Sequence, residues 1–231
     1  AIRLEKVPLG VDMEKLRPRD PIAARNFFHI SQDAFVILWF GRFSDLYKAD
    51  LYPLLHVFQQ LLKKNPQKKL MLVLAGNEDG SSHYKNFLHR QAETLGIQSH
   101  VQWINSHEIL DRSMLYSACD VFTSPVDNVQ ETFGLTPIEA MACGIPQVVS
   151  DWDGYRDTVV HGVTGYRIPT VWGNCLQDIA QAEYLPLNPQ RRRLLQRYLA
   201  VRSVVVDCTE YEEKLQFLID HPQRCAEMGK A

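Results

Sequence analysis

The sequence lacks both of the glycine-rich phosphate loops that are commonest in nucleotide-binding proteins. Neither G-x-x-x-x-G-K-S/T nor G-x-G-x-x-G occurs anywhere in its 231 residues. The first absence argues against nucleotide hydrolysis of the P-loop type, and the second removes the main support for dinucleotide redox chemistry. A phosphate ligand, if there is one, must be held by other means.

Four further features that the sequence lacks narrow the class of protein. Lys and Arg number 25 against 27 Asp and Glu, so the chain has no basic excess and nucleic acid is not an expected partner. The longest wholly apolar run, Ala34–Phe40, is far too short to span a bilayer, which needs about 20 residues. No charged and apolar leader opens the chain. The five cysteines form no C-x-x-C pair, which suits reduced thiols and predicts no metal site. These features together predict a cytoplasmic protein.

The central part of the chain alternates short apolar runs with amphipathic stretches. Runs that are apolar nearly throughout are typical of strands buried on both faces of a parallel sheet. The six predicted strands are 34–40, 69–75, 101–104, 121–124, 147–150 and 165–169. The helices predicted between them are 50–64, 81–95, 107–118 and 136–143. Alternation of this kind predicts an α/β fold, a Rossmann-like doubly wound parallel sheet of about six strands with helices on both faces.

The two ends of the chain differ from this centre. Residues 1–33 show little periodicity and are interpreted as a strand or linker leading into an α/β core at 34–170. Residues 171–231 are interpreted as a helical C-terminal extension, with the clearest helices at 191–206 and 210–220. All of it is predicted to form one domain.

Ligands of open parallel sheets bind beyond the carboxyl ends of the strands, and three of these ends carry informative residues. Gly41 and Arg42 follow the first predicted strand, with Lys48 close behind. The fourth strand leads to a Gly134 that precedes a predicted helix, and the fifth leads to Asp151-Trp152-Asp153-Gly154.

The helix after Gly134 has the sequence signals of a capped start. Thr136 is the expected N-cap, Pro137 suits the first helical position and Glu139 would complete a capping box, while Gly144 supplies a left-handed stop. Free N–H groups at such a start attract anions by about 0.3–1 kcal/mol. Charge-assisted hydrogen bonds from Arg42 and Lys48 would add about 1.5–3 kcal/mol each. The pattern therefore indicates a ligand that carries phosphate.

Several motifs resemble one known family, the family-4 (group 1) glycosyltransferases of GT-B architecture, and specifically their C-terminal, donor-binding domain. The segment 8–12 resembles the point at which the chain enters that domain. The other matching segments are Gly41-Arg42 with Lys48, 74–76, 101–104, 116–120, Ser124-Pro125, the E-x7-E pair Glu131 and Glu139, 140–146 and 161–166. The Lys-Gly pair usual in the family is Lys48-Ala49 here.

The resemblance implies a function and a site. Members move a sugar from a nucleotide diphosphate to an acceptor with retention of configuration, with no cofactor and usually no metal, and the donor could be a UDP-, GDP- or ADP-sugar. Arg42 and Lys48 would neutralise the leaving diphosphate, and Glu131 would hold sugar hydroxyls. Glu139 would bind the ribose. The implied contacts of the donor with backbone are at Gly41, Phe133, Gly134, Leu135 and Thr136. An acceptor-binding N-terminal domain would be missing from this chain, so the isolated domain is expected to bind donor without turnover.

Alternatives stay open for the chain and for its residues. Glu139 could be only a capping residue, Glu131 a solvated loop acid, and Arg42 and Lys48 surface cations. The chain could be a non-catalytic binding or scaffolding module, or part of a phosphorylase or epimerase of the same architecture. Arg191-Arg192-Arg193, with the nearby Arg197 and Arg202, forms a basic cluster, either a solvated helix face or a contact with acidic lipid at the inner face of a membrane. Nucleotide base, sugar and acceptor are not specified by these motifs.

Overall fold

Six parallel strands form the centre of the protein. The structure is a computed structural model that describes residue 5 and residues 9–78, 83–128 and 133–231. The strands are β1 (Phe35–Phe40), β2 (Leu70–Gly76), β3 (Val101–Asn105), β4 (Val121–Ser124), β5 (Gln147–Ser150) and β6 (Gly165–Ile168). Each lies within one residue of its predicted bounds at both ends, so the prediction of a six-stranded parallel sheet is confirmed. Nearly every side chain of β1, β2, β4 and β5 is buried, as expected for strands covered on both faces of a sheet.

The order of the strands creates a crevice in the middle of the sheet. The sheet runs β3-β2-β1-β4-β5-β6, with all neighbours parallel. The chain moves outward from β1 to β3, returns to β4 beside β1, and then moves outward on the other side. The loops that follow β1 and β4 therefore diverge at adjacent strand ends, which is the switch point where ligands of such folds bind.

Helices cover both faces of the sheet. In the first part of the chain they are α1 (Pro21–Phe27), α2 (Tyr52–Lys64), α3 (His83–Thr94), α4 (Arg112–Ser117), α5 (Leu135–Ala142) and α6 (Tyr155–Thr158). In the last part they are α7 (Leu176–Gln181), α8 (Pro189–Val201), α9 (Cys208–Asp220) and α10 (Pro222–Met228). No helix in the described ranges is long and apolar enough to cross a membrane.

The predicted linker at 1–33 contains a helix, α1, that the sequence analysis did not identify. The carboxylate of Asp20 caps it and Pro21 occupies its first turn. Arg25 on α1 donates to the Ala118 carbonyl and to the Asp120 carboxylate, which also accepts from the backbone N–H of Val36 in β1. These bonds fasten the leading segment to the sheet.

The stretch after Pro169 also differs from the predicted run of helices. Helix α8 ends at Val201, and the end of the predicted helix 191–206 is instead a strand, β8 (Val204–Val206). It pairs antiparallel with another strand that was not predicted, β7 (Thr170–Trp172). Three consecutive valines favour a strand because β-branched side chains fit an extended backbone better than a helix.

Strands β7 and β8 close the base of an excursion, residues 173–203, which we call the arm. The backbone N–H of Asp207 donates to the carbonyl of Pro169 at 2.9 Å, so the chain returns to the place it left. Helix α9 then rejoins the α/β core, where Tyr211, Leu215 and Leu218 are fully buried and the helix packs against α2. The C-terminal part of the chain thus includes one helix of the main layer and a separate arm.

Candidate functional site

The loop after β1 carries two of the residues predicted to hold phosphate, Arg42 and Lys48. It continues alongside β2, because Gly41 N–H donates to the Ala75 carbonyl at 3.0 Å and Phe43 N–H to the Asn77 carbonyl at 2.8 Å. A Cβ added to Gly41 would lie 2.9 Å from Trp39 Cζ2 and 3.4 Å from Lys48 Cε. Gly41 therefore leaves room for the Trp39 ring, the Lys48 side chain lies beside Gly41, and both cations follow the carboxyl end of β1.

The end of β2 must be a glycine for this loop to lie where it does. Gly76 has φ +142°, and a Cβ on it would meet the carbonyl oxygen of Gly41 at 1.6 Å. No rotamer change relieves a clash between a Cβ and backbone. The two glycines thus allow the ends of neighbouring strands to approach closely.

The loop after β4 is joined to the loop after β1 by two hydrogen bonds. The N–H of Asp50 donates to Asp127 Oδ1 at 3.0 Å, and Asn128 Nδ2 donates to the Leu46 carbonyl at 3.0 Å. Trp152, after β5, donates its indole N–H to the Asn128 carbonyl at 3.1 Å. Three consecutive strand ends across the switch point are therefore held together. Glu131, the first acid of the predicted E-x7-E pair, lies outside the described residues.

Helix α5 begins beside this junction, but not as the capping-box prediction expected. Its N-cap is Gly134, with φ +84°, so Leu135 is the first helical residue and Thr136 the second. Among the residues that the structure describes, no side chain caps this end. The Thr136 hydroxyl oxygen is buried and lacks a hydrogen-bond partner within the described part of the chain. The predicted N-cap role of Thr136, and with it the capping box, is wrong, whereas Gly144 does adopt the predicted left-handed stop at φ +77°.

Glu139 is held by helix α4 instead of by its own helix start. It is 6% exposed; Oε1 accepts from Arg112 Nη1 at 2.6 Å and Oε2 from the Tyr116 hydroxyl at 2.8 Å. Burial, together with the Glu139 charge, raises the pKa of Tyr116 and keeps it a hydrogen-bond donor. Arg112 also lies over the Phe40 ring, 5.6 Å from its centroid, at the end of β1. Sequence reasoning missed Arg112 and Tyr116, although their i, i+4 spacing places them on one face of α4.

The backbone of Gly134 rests on the ring of Tyr155. A Cβ on Gly134 would lie 2.1 Å from Tyr155 Cε1, and the Tyr155 hydroxyl shares a 2.8 Å hydrogen bond with Ser124 Oγ at the end of β4. The start of α5 is thereby fixed to the carboxyl edge of the sheet. The predicted residues Gly41, Arg42, Lys48, Phe133, Gly134, Leu135, Thr136 and Glu139 all belong to elements that meet around this one crevice.

An apolar cavity elsewhere in the molecule is less suited to phosphate. It has a volume of about 530 Å³ and is lined by Trp172 and Cys175 near β7 and by Ile179 and Ala200 of the arm, with no charged residue among its described lining. A diphosphate there would lose its hydration without compensation. The crevice at the switch point remains the candidate site.

Comparison with known proteins identifies the family. The family described as "Glycosyl transferases group 1" matches residues 23–197, more than half of the chain. The chain belongs to this family. The resemblance stated from the motifs is confirmed.

Curated relatives agree with this membership. This member of the family is 34% identical to D-inositol 3-phosphate glycosyltransferase 2 of Catenulispora acidiphila over 166 residues, 71% of this chain and 38% of that protein. It is 33% identical to D-inositol 3-phosphate glycosyltransferase of Stackebrandtia nassauensis over 194 residues, 81% of this chain and 42% of that protein. The chain spans about two fifths of the length of these relatives.

Solved structures share the fold. Anabaena Alr3699/HepE in complex with UDP and glucose superposes with a TM-score of 0.65 at 21% identity, covering 95% of this chain and 48% of that one. The C-terminal domain of a glycosyl transferase group 1 family protein (LpcC) from Francisella tularensis gives a TM-score of 0.64 at 17% identity, covering 96% and 93%. The predicted fold, a C-terminal domain of GT-B type, is confirmed.

We expect Gly134→Ala to destabilise the protein more than Gly162→Ala. Both glycines have positive φ, but a Cβ on Gly162 meets nothing within 4 Å, whereas one on Gly134 overlaps the Tyr155 ring. The left-handed backbone alone costs alanine about 1–2 kcal/mol, and overpacking adds about 1–3 kcal/mol. Urea unfolding of the two variants measures the difference. Equal losses of stability would mean that Gly134 does not rest on Tyr155.

The raised pKa of Asp127 predicts that the stability of the folded protein depends on pH. Burial raises the pKa of Asp127 to about 7, from an ordinary value of 3.8. Between these values the folded protein holds a proton that the unfolded chain has released, so this carboxyl lowers stability as pH rises from about 4 to 7. Asp127→Asn keeps an acceptor oxygen for Asp50 N–H and removes the titration. The melting temperature of Asp127→Asn minus that of wild type should rise on the order of 10 °C from pH 4.5 to 8.

The exposed Asp178→Asn serves as the control for this measurement, since Asp178 lies on the surface of α7. Its melting temperature should follow that of the wild type across the same pH range. A constant difference for Asp127→Asn would show that Asp127 titrates normally.

Proposed function

We propose that this chain is the nucleotide-sugar-binding domain of a retaining glycosyltransferase, and that its acceptor is bound by a further domain. The observation that carries the proposal is the junction at the switch point. Asp127 and Asn128 join the loop of Arg42 and Lys48 to the loop that leads into α5. Two cations and a helix start therefore belong to one crevice.

The charges of this crevice suit a diphosphate. Backbone N–H groups of the first turn of α5 have no intrahelical partners, and together with the helix dipole they favour an anion by about 0.3–1 kcal/mol. That is too little to hold a diphosphate in water. Arg42 and Lys48 supply the remainder through charge-assisted hydrogen bonds of about 1.5–3 kcal/mol each.

Glu139 is the proposed partner of the ribose. Each of its carboxylate oxygens accepts one hydrogen bond, from Arg112 and from Tyr116, and a carboxylate oxygen can accept two. The spare acceptor capacity suits vicinal hydroxyls. The two protein donors fix the orientation of the carboxylate, and the contact of Arg112 with Phe40 ties it to the end of β1.

In the proposed reaction the bond between the anomeric carbon and the phosphate oxygen breaks, and its electron pair stays on the phosphate. The acceptor oxygen bonds to the anomeric carbon on the same face, and its proton passes to the departing phosphate. Negative charge on the diphosphate grows as the bond breaks. Fixed cations and N–H groups around the diphosphate therefore stabilise the transition state more than the bound donor.

The comparisons support this proposal at two points. The relatives named above are called glycosyltransferases, and one protein of the same fold was crystallised with UDP and glucose. UDP is therefore the first nucleotide to test, with GDP and ADP as alternatives. The relatives extend well beyond the part that this chain matches, and the proposal places the choice of acceptor in such a further domain.

Arg42→Ala and Glu139→Ala should each weaken the binding of a nucleoside diphosphate about tenfold or more, as expected for the loss of one charge-assisted bond. Isothermal titration calorimetry of the chain with UDP, GDP and ADP measures this. Arg224→Ala is the matched control. Arg224 donates to the carbonyl of Gly162, which precedes the start of β6, whereas the candidate site lies at the ends of the strands.

Tyr116→Phe separates the proposed contact of Glu139 with the ribose from the hydrogen bond that ties Glu139 to α4. It removes the hydroxyl donor and leaves the carboxylate in place, so the affinity for nucleotide should fall far less than in Glu139→Ala. The proposal fails if none of the three nucleotides binds at millimolar concentration, or if Arg224→Ala weakens binding as much as Arg42→Ala.

A further inference from the structure

The arm (residues 173–203) contacts the loop that carries Lys48. It leaves the core at β7 and returns at β8, and its last helix, α8, ends directly before Arg202. Arg202 Nη2 lies 2.7 Å from Asp45 Oδ2, and its Nη1 lies 3.0 Å from Asp50 Oδ2. One guanidinium thus bridges two carboxylates that flank Lys48 in the sequence.

This bridge is less exposed to solvent than an ordinary surface ion pair, and its groups make additional contacts. The side chain of Arg202 is 35% exposed and that of Asp50 only 15%. The other oxygen of Asp50, Oδ1, accepts from the Tyr84 hydroxyl and from Tyr52 N–H, both at 3.0 Å. The guanidinium also lies over the Tyr198 ring, 4.6 Å from its centroid. A planar fork with two carboxylate partners loses less entropy per bond than a lysine would.

An open cavity of about 630 Å³ adjoins the bridge. It is lined by Tyr198 and Arg202 of the arm, by residues of the loop that include Asp45 and Tyr47, and by side chains of α2 and α3. Arg197 adds a cation–π contact to the ring of Tyr47, at 4.5 Å, next to Lys48. Hydrogen-bonded ion pairs and a cation–π contact therefore attach the arm to the loop beside this cavity.

The turn that holds Lys48 is closed at both ends by the bridged carboxylates. The N–H groups of Lys48 and Ala49 both donate to the Ser44 carbonyl, at 3.0 and 3.1 Å. Asp45 and Asp50 lie at the start and end of this turn and would repel each other without a cation between them. Loss of Arg202 would therefore loosen the turn and remove the cation that Asp45 and Asp50 share.

We propose that Arg202 is a positioning residue, through which the arm holds the Lys48 turn in the geometry that contacts the diphosphate. This inference rests on the proposed function, in which Lys48 binds phosphate. It gives the arm a role in donor binding although Arg202 need not touch the donor.

A double-mutant cycle with UDP tests the proposal. Wild type, Arg202→Ala, Lys48→Ala and the double variant are titrated with UDP and with uridine by calorimetry. We expect Arg202→Ala to weaken UDP binding about threefold to tenfold and Lys48→Ala about tenfold, with uridine affinity unchanged in both. If Arg202 acts through Lys48, the double variant should bind UDP no more weakly than Lys48→Ala.

Further variants guard against a purely structural effect. Arg202→Lys should restore only part of the UDP affinity, because one ammonium cannot match the two-carboxylate geometry. Asp45→Asn removes one of the two carboxylates of the bridge and should weaken UDP binding, but in combination with Arg202→Ala it should cause no further loss of affinity. This variant also tests the proposal if Arg202→Ala does not fold. Arg192→Ala, which breaks the pair of Arg192 with Glu183 inside the arm, should leave UDP affinity unchanged.

The outcomes separate this inference from the function on which it rests. Absence of UDP binding by the wild type overturns both. Binding by the wild type that is weakened by Lys48→Ala but not by Arg202→Ala or Asp45→Asn overturns the positioning role alone. Additive losses in the double variant, or equal losses for UDP and uridine, also contradict it.

Discussion

Two hydrogen bonds across the switch point, Asp50 N–H to Asp127 and Asn128 to the Leu46 carbonyl, hold the candidate site together. The sheet brings the ends of β1 and β4 side by side, but the chain leaves these ends in different directions. Each bond contributes only about 1 kcal/mol net, yet Asn128 is almost completely buried, so breaking this bond would take a hydrogen-bond partner from a polar group that water does not reach. The relative position of the two loops that border the crevice depends on this polar junction.

Separate sets of contacts hold the two sides of the crevice in place. Glu139, Arg112 and Tyr116 form a network that ties α5 to α4, and Tyr155 ties the start of α5 to β4. On the other side of the crevice, the loop of Lys48 is attached to the arm through Arg202. Fixed donors and cations of this kind need little reorganisation when charge develops on a ligand, which is what transfer from a nucleotide sugar requires.

The sheet could be predicted from the sequence because its strands are short, nearly wholly apolar and bounded by turn residues. The same reasoning missed α1, which at seven residues is too short to show a helical period. It also missed β7 and β8, whose pairing depends on residues more than thirty positions apart. The position of the candidate site at the carboxyl ends of the strands could be predicted from the parallel sheet alone.

Details of the site depended on tertiary contacts that no local pattern contains. The capping box predicted for Thr136 and Glu139 failed because α4 presents two stronger partners to the Glu139 carboxylate. Asp127, Asn128 and Arg202 join segments up to 157 positions apart, as the Arg202–Asp45 bond shows. Glu131 was predicted from a motif and its placement is outside the described residues, so its role stays a prediction.

Hydrogen–deuterium exchange with and without UDP tests the central claim most directly, since it reports which backbone amides a ligand protects. A single site at the switch point predicts protection of both 41–48 and 133–137 on addition of saturating UDP. Protection of only one of these segments, or protection confined to 172–179 around the apolar cavity, would contradict the account.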